Sequence, residues 1–225
     1  MTARKKRPGS DWRVLVVDDH PMVRKGLCDL LDEEPGFCAC GQAADAEEAL
    51  ALVGEDPPDI MLLDLSLEGS SGLELVKQLH ARFPEIQVLV FSMHDEALYA
   101  ERSLQAGASG YVEKHSSTDE LLEAMRRVAR GKIHLSEEMT ERLLQQRLAG
   151  GAEAGASVAE RLSDRELEVF ELLGRGRTTR EIAESLNISI KTVERHCENI
   201  KESLQLANRT QLLQHAVHWL VQEHS

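Results

Sequence analysis

Asp18, Asp19, Asp64, Ser92 and Lys114 stand out in this 225-residue chain because each comes at the end of a short apolar run: "RVLVV" (13–17), "DIMLL" (59–63), "QVLVF" (87–91) and "GYVE" (110–113). If those runs are strands of one parallel sheet, the five polar side chains meet beyond its C-terminal edge, where sites in such sheets form. Three carboxylates crowded there would repel one another and take up protons unless a cation neutralised them. An all-oxygen donor set with few ligands and room for water suits Mg²⁺. A metal and a lysine together can neutralise a transferring phosphoryl group while a carboxylate attacks its phosphorus. Asp64 is the best-placed nucleophile. Any one strand-end carboxylate is commonly just a loop or helix cap; suitable residues at successive strand ends argue for one site.

The elements that must carry these residues are legible from periodicity. The apolar runs, with a weaker one at "FCACGQA" (37–43), alternate with amphipathic stretches at about 22–33, 45–54, 72–82, 96–106 and 118–130. That alternation predicts a doubly wound α/β domain, a five-stranded parallel sheet with helices on both faces. Ser117 and Glu120 have capping-box spacing for the last helix. A further helix is expected over 136–149, followed by "GGAEAGASVAE" (150–160), which loses apolar periodicity and reads as a flexible tether. Four short helices are then expected, at about 164–173, 179–186, 190–206 and 209–222. Ser163/Glu166, Thr178/Glu181 and Asn208/Gln211 mark three of their starts, and Gly174 is placed to end the first. The predicted organisation is a sheet domain over 12–131, a linker over 132–158 with a helical first part, and a small all-α four-helix domain over 159–225.

Composition narrows the function. No apolar run approaches the roughly 18 residues of a membrane span, and "MTARKKRPGS" lacks the apolar stretch of a signal peptide. Cys28, Cys38, Cys40 and Cys197 show no CxxC pair, which favours reduced thiols in a cytoplasmic protein. Net charge is −13, and residues 160–225 hold nine lysines and arginines against eleven acids. Any nucleic-acid binding by that part must therefore rest on local rather than overall charge.

Residues 12–131 resemble the receiver domain of bacterial two-component response regulators. The resemblance implies that Asp18, Asp19 and Asp64 hold Mg²⁺ with help from the backbone carbonyl of Ser66, and that Asp64 takes a phosphoryl group from a sensor histidine kinase. Ser92 and Lys114 would bind the phosphoryl oxygens. Tyr111 would be the aromatic that turns inward with Ser92, shifting a two-state face. "SMHDE" (92–96) is similar to the NarL/FixJ branch. Many receivers have proline where this chain has Glu68 and His115; the second difference removes the usual reason to expect a cis peptide.

Residues 162–220 resemble the LuxR-type four-helix helix-turn-helix domain. Val193, Cys197, Ile200 and Leu204 recur at helical spacing and should face the core. Lys191, Thr192, Glu194, Arg195, Glu198 and Glu202 would then belong to the helix that enters the major groove, with Thr178, Thr179 and Arg180 near backbone phosphate. Glu194 and Glu198 stand where relatives often carry lysine, which predicts weak intrinsic affinity. Glutamate can still accept from cytosine and Arg195 can pair with guanine, so a G·C-containing half-site is expected unless Arg195 and Glu198 merely pair with each other. His196 and His215 read as packed side chains, and Trp219, Val217 and Leu220 as the packed last helix.

The expected function is a phosphorylation-switched transcription regulator, not an enzyme, that binds double-stranded DNA as a homodimer when phosphorylated or on DNA. Two rivals differ in class. A Mg²⁺-dependent phosphohydrolase with an Asp nucleophile is the first, but the chain lacks the second acid/base carboxylate two residues beyond the nucleophile that one such class uses, and no substrate-sized insert is visible. An adaptor whose helical domain contacts another regulator is compatible with the acidic face.

Overall fold

The structure, a computed structural model, describes residues 11–67, 70–148 and 158–223. The expectations for the N-terminal tail, for Glu68 and for the middle of the tether lie outside those residues. The chain divides into two compact units, residues 1–150 and 151–225.

The first unit runs β1 (Trp12–Val17), α1 (Pro21–Glu33), β2 (Phe37–Ala43), α2 (Ala46–Glu55), β3 (Ile60–Leu63), β4 (Ser66–Leu67), β5 (Ser70–Ser71), α3 (Gly72–Arg82), β6 (Gln87–Ser92), α4 (Glu96–Ala106), β7 (Gly110–Glu113), α5 (Thr118–Ala129) and α6 (Glu137–Leu148). The main sheet is parallel, in the order β2-β1-β3-β6-β7. Its central strands carry near-continuous apolar runs, residues 14–17, 60–63 and 88–91, because both faces are covered. Val14, Val16, Ile60, Leu62 and Leu89 pack with Leu27 and Leu31 of α1 and Met125 and Val128 of α5. The alternate residues Leu15, Val17, Met61, Leu63, Val88 and Val90 are equally buried, as a period of two requires. Each such side chain contributes about 1.5–3 kcal/mol on burial.

Register positions the site. Val17 pairs with Leu63, Leu63 with Val90, and Ser92 with Glu113. Asp18, Asp64, Ser92 and Lys114 therefore reach one edge together. The amide of Asp64 donates to the carbonyl of Val17 at 2.9 Å, and that of Lys114 to the carbonyl of Ser92 at 2.8 Å. Strand and helix limits follow the sequence reading closely, and the capping box of Ser117 and Glu120 is present.

Two features were not anticipated. β4 and β5 form a small antiparallel hairpin just after Asp64. It closes against α3 at Gly72, where a Cβ would stand 2.5 Å from the Cα of Leu65. The segment after α5 is also pinned to the sheet: the amide of Tyr111 donates to the carbonyl of His134 at 3.0 Å, and the amide of His134 to the carbonyl of Ser109 at 3.1 Å. The amide of Ser136 donates to the Glu96 carboxylate at 2.9 Å, and Met139 of α6 is buried. The stretch between α5 and α6 is thus fixed to the edge of β7. No cis peptide bond occurs among the described residues.

The second unit is α-helical: α7 (Val158–Arg161), α8 (Asp164–Gly174), α9 (Thr179–Ser185), α10 (Ile190–Leu204) and α11 (Arg209–Glu223). The turn α7 falls where the tether was expected. Capping boxes at Ser163/Glu166 and Thr178/Glu181 start α8 and α9. Asn208 accepts from the amide of Gln211 at 3.0 Å, but the Gln211 side chain reaches back to the amide of Ala207. α8 ends at Gly174, but not by a left-handed turn at that residue. A Cβ there would meet the Ala216 carbonyl oxygen at 2.7 Å. The left-handed turn comes at Gly176, φ 78°. Likewise α10 ends at Leu204, two residues short of the expected limit, because Gln205 turns left-handed with φ 57°.

Phe170 and Trp219 pack with their rings tilted and centroids 5.4 Å apart in a core with Leu167, Leu173, Ile182, Val193 and Leu212. Val217 was expected to pack but is 47 % exposed. Two acids of α8 are buried here, Glu168 and Glu171, paired respectively with Arg165 of the same helix at 2.6 Å and with its C-cap residue Arg175 at 2.5 Å.

Candidate functional site

The five strand-end residues of the first unit are brought together as expected. Asp18 and Asp64 are buried, at 1 % and 3 % exposure. The Lys114 ammonium lies between them, donating to Asp18 Oδ2 and Asp64 Oδ2 at 2.6 Å each. Burial pushes the Lys114 pKa down, but the Asp64 and Asp18 carboxylates outweigh it and the net shift is upward, so the ammonium stays charged. The other oxygen of Asp64 accepts from the Ser92 hydroxyl at 2.8 Å and from the Ser66 amide at 3.2 Å. Asp18 Oδ1 accepts from the amide of His20 at 2.8 Å.

Asp19 is treated differently. Its Oδ1 is buried without a hydrogen bond, although the His20 Nδ1 stands 2.5 Å away. Burial raises the Asp19 pKa, with the neighbouring Asp64 and Asp18 charges acting in the same sense and His20 against them. One ligand atom from each of Asp18, Asp19, His20 and Asp64 falls within 4.8 Å of the others. His20 was not singled out from the sequence, although it directly follows the acid pair. An orphaned carboxylate oxygen beside two further carboxylates is a donor set that a hard divalent cation fits.

Tyr111 is turned inward and almost fully buried, and its hydroxyl donates to the carbonyl of His94 at 2.8 Å. Burial holds its pKa well above the ordinary phenol value, with the charges of Glu113 and Asp64 adding to the effect. His94 in turn bonds Ser66 through Nε2 at 3.0 Å and lies against the Tyr99 ring, centroids 4.4 Å apart. The loop after Ser92 is thereby tied both to the loop after Asp64 and to β7.

In the second unit Val193, Cys197, Ile200 and Leu204 are buried as predicted. Lys191, Glu194, Arg195, Glu198 and Glu202 are exposed. Glu198 pairs with Lys201 at 2.8 Å, not with Arg195. Arg195 has no partner among the described residues. Several other candidates are already engaged. Thr178 exchanges hydrogen bonds with Glu181, Thr192 shares its hydroxyl with Ser189 at 2.8 Å, and Arg180 pairs with Glu184 at 3.0 Å. Thr179 accepts from Arg209 at 2.7 Å.

Residues 14–126 match the response regulator receiver domain, and residues 160–216 match the bacterial regulatory proteins of the luxR family. The transcriptional activator protein ExaE of Pseudomonas putida is 37 % identical over 204 residues, covering 91 % of this chain and 95 % of that protein. The transcriptional regulatory protein LiaR of Bacillus subtilis is 38 % identical over 201 residues, covering 88 % and 93 %. Among solved structures, RcsB from Salmonella enterica serovar Typhimurium, bound to promoter rprA with phosphomimetic BeF₃⁻, superposes with a TM-score of 0.60 at 25 % identity. It spans 94 % of this chain and 99 % of RcsB. A luxR-family regulator from Aurantimonas sp. SI85-9A1 gives 0.57 at 36 % identity, over 62 % of this chain and 99 % of that one. Both matched domains, in this order over nearly the full length of known transcriptional regulators, make the chain a member of the response regulators that join a receiver to a LuxR-type DNA-binding domain.

Proposed function

We propose that residues 12–131 receive a phosphoryl group on Asp64 from a sensor histidine kinase, and that residues 159–225 bind double-stranded DNA as a pair in response, with 132–158 between them. The observation that carries the reading is the shared Lys114 contact. One buried ammonium at 2.6 Å from both Asp18 and Asp64, with the Ser92 hydroxyl at 2.8 Å from the same Asp64, surrounds one carboxylate with the donors an added phosphoryl group needs.

In the transfer, an Asp64 oxygen forms a bond to phosphorus as the P–N bond to the kinase imidazole breaks, giving an acyl phosphate. Asp18, Asp19, Asp64 and the Ser66 carbonyl would hold Mg²⁺, which neutralises phosphoryl charge when bound. Lys114 exchanges its contact with Asp64 for one with a phosphoryl oxygen, and Ser92 does the same with its hydroxyl. Movement of Ser92 pulls on the loop that Tyr111 holds through His94, so the new dianion biases an existing two-state face. The two matched families are regulatory, and on that ground the chain is read as a cytoplasmic regulator rather than an enzyme.

For DNA, Glu198 is neutralised within its own helix while Arg195 is left open, which favours readout by Arg195 over a mutually paired, solvated face. Lys191 and Glu194 are exposed on the same helix, and the expectation of a G·C-containing half-site rests on Arg195 for guanine and a glutamate for cytosine. RcsB supports the DNA reading, since its structure holds a promoter. The test is phosphoryl uptake from a small acyl phosphate with Mg²⁺, followed by intact mass. Wild type should gain one phosphoryl group and Asp64→Ala none, with the fold retained by circular dichroism. Uptake persisting in that variant refutes the assignment.

A further inference from the structure

The second unit is poor in positive charge, and most of what it has is spent internally. Of its nine lysines and arginines, Arg165, Arg175, Arg177, Arg180 and Lys201 each face a glutamate within their own helix or cap. Arg161 donates to the carbonyl of Ser203. Among the described residues this leaves Lys191, Arg195 and Arg209 without a carboxylate. The first two lie on α10. Arg209 is on another element, α11.

Arg209 is exposed and is the first residue of α11, a 15-residue helix. A cation at that end opposes the helix macrodipole, so helix stability does not explain it. Its guanidinium reaches across to the first residue of α9 and donates to the Thr179 hydroxyl at 2.7 Å. Its charge is also felt at the Cys197 thiol in the middle of α10. An unneutralised, planar donor is thus held in place beside both helices of the DNA-binding pair. One nitrogen is fixed by a hydroxyl, and the remaining N–H groups of the fork stay free. That is the arrangement a phosphate oxygen recognises, and it carries no information about base sequence.

Resting on the DNA reading above, we propose that Arg209 is a backbone-phosphate contact, steadied by Thr179, that supplies sequence-independent affinity to an otherwise acid-rich reading domain. One phosphate contact contributes about 0.9 to the slope of log K against log salt, which at roughly 0.15 M is about a five-fold gain in affinity per protomer and about twenty-five-fold for a pair.

The experiment uses full-length protein with Mg²⁺ and a small phosphoryl donor. The probes are a duplex selected by the wild type from random DNA and an unselected random duplex of the same length. Arg209→Ala should lower the slope by about 0.9 per bound protomer on both duplexes, leave their affinity ratio unchanged, and leave the thermal midpoint of the helical unit unchanged or slightly raised. Arg209→Lys should restore the slope. Affinity lost at unchanged slope, or lost together with thermal stability, would mean that Arg209 only braces α9 through Thr179, and the proposal falls. An unchanged isotherm overturns it too. Failure of the wild type to retain either duplex would instead remove the DNA reading itself, an outcome separable from the others because it precedes any substitution.

Discussion

Replacing Lys114 by methionine isolates the electrostatics of the carboxylate cluster around Asp64, because methionine keeps the apolar stem at similar length while removing the charge. Its side chain is 9 % exposed and the two carboxylates it contacts are each 2 % exposed, so water screens the contacts poorly. At an effective dielectric near 20, unit charges about 4 Å apart interact by about 4 kcal/mol. Methionine forfeits two attractions of that order and leaves Asp18, Asp19 and Asp64 repelling one another. Breaking buried pairs by removing one partner typically costs about 3–5 kcal/mol. Protonation caps the loss, since neutralising one carboxylate of ordinary pKa near neutral pH costs about 4–5 kcal/mol. The expected loss is therefore about 3–5 kcal/mol in chelator at neutral pH, or on the order of 6–20 °C in the midpoint of a unit this size.

Two conditions should reverse that loss. Mg²⁺ at a hundred times its dissociation constant returns about 2.7 kcal/mol by mass action, and its effect on the variant should exceed that on the wild type. Acid should also help. Like-charge repulsion and burial hold a carboxylate pKa in the folded state above its unfolded value, as burial already does for Asp19 in the wild type. The folded state then binds more protons, and the stability so contributed is present at low pH and lost as pH rises through the raised pKa. Scanning calorimetry of the full chain, which resolves the two units, is the assay. A variant within 1 kcal/mol of wild type in chelator, with no greater response to Mg²⁺, would show that Lys114 does not compensate these acids.

Two further outcomes test the helical unit. Gly174→Ala brings a Cβ to 2.7 Å from the backbone oxygen of Ala216, which no side-chain rotation relieves; overpacking of about 1–3 kcal/mol should exceed the gain of about 1 kcal/mol in helix propensity, and a rise in denaturation midpoint would contradict the close approach. Glu181 has its pKa lowered from the ordinary 4.5 by hydrogen bonds from the backbone and side chain of Thr178, so its stabilisation is present above 4.5 and lost as pH falls through the lowered value. Glu181→Gln keeps the cap without the titration, and the acid limb of the unit's midpoint against pH should flatten; an unchanged limb would remove Glu181 from the pH response.

The parts of the molecule legible in the sequence were those fixed by short-range periodicity. Asp18, Asp64, Ser92 and Lys114 could be placed because a parallel register aligns strand ends, and the aligned pairs Val17 with Leu63 and Ser92 with Glu113 are that alignment. Capping spacings located α5, α8 and α9 for the same local reason. Interactions set only by the closed fold were invisible. The hairpin of β4 and β5 has two residues a strand, too few for any period. Gly174 reads as a helix stop, but its absent side chain serves an α11 backbone distant in sequence. The bond from the Tyr111 amide to the carbonyl of His134 required knowing that the chain returns along the open edge of β7. Which glutamate neutralises which cation on α10 likewise depended on side-chain direction: Glu198 has Arg195 and Lys201 each three residues away, and geometry chose Lys201.

That choice bears on how such a domain could regulate at all. With Glu194, Glu198 and Glu202 exposed on the reading helix, each phosphate approached adds repulsion as well as attraction. Three unneutralised cations per protomer, counting Arg209, bound the salt slope of a single domain near 2.7, against about 5.4 for a pair on one duplex. A monomer with so few contacts falls off readily at physiological salt, whereas tethering two makes the second contact intramolecular and multiplies the affinities. Under the proposed function, a reading face nearly neutral in itself would place control in pairing. Adding lysines to that face would raise the affinity of the unpaired form and weaken the dependence of DNA binding on Asp64, because phosphorylation would have less occupancy left to add.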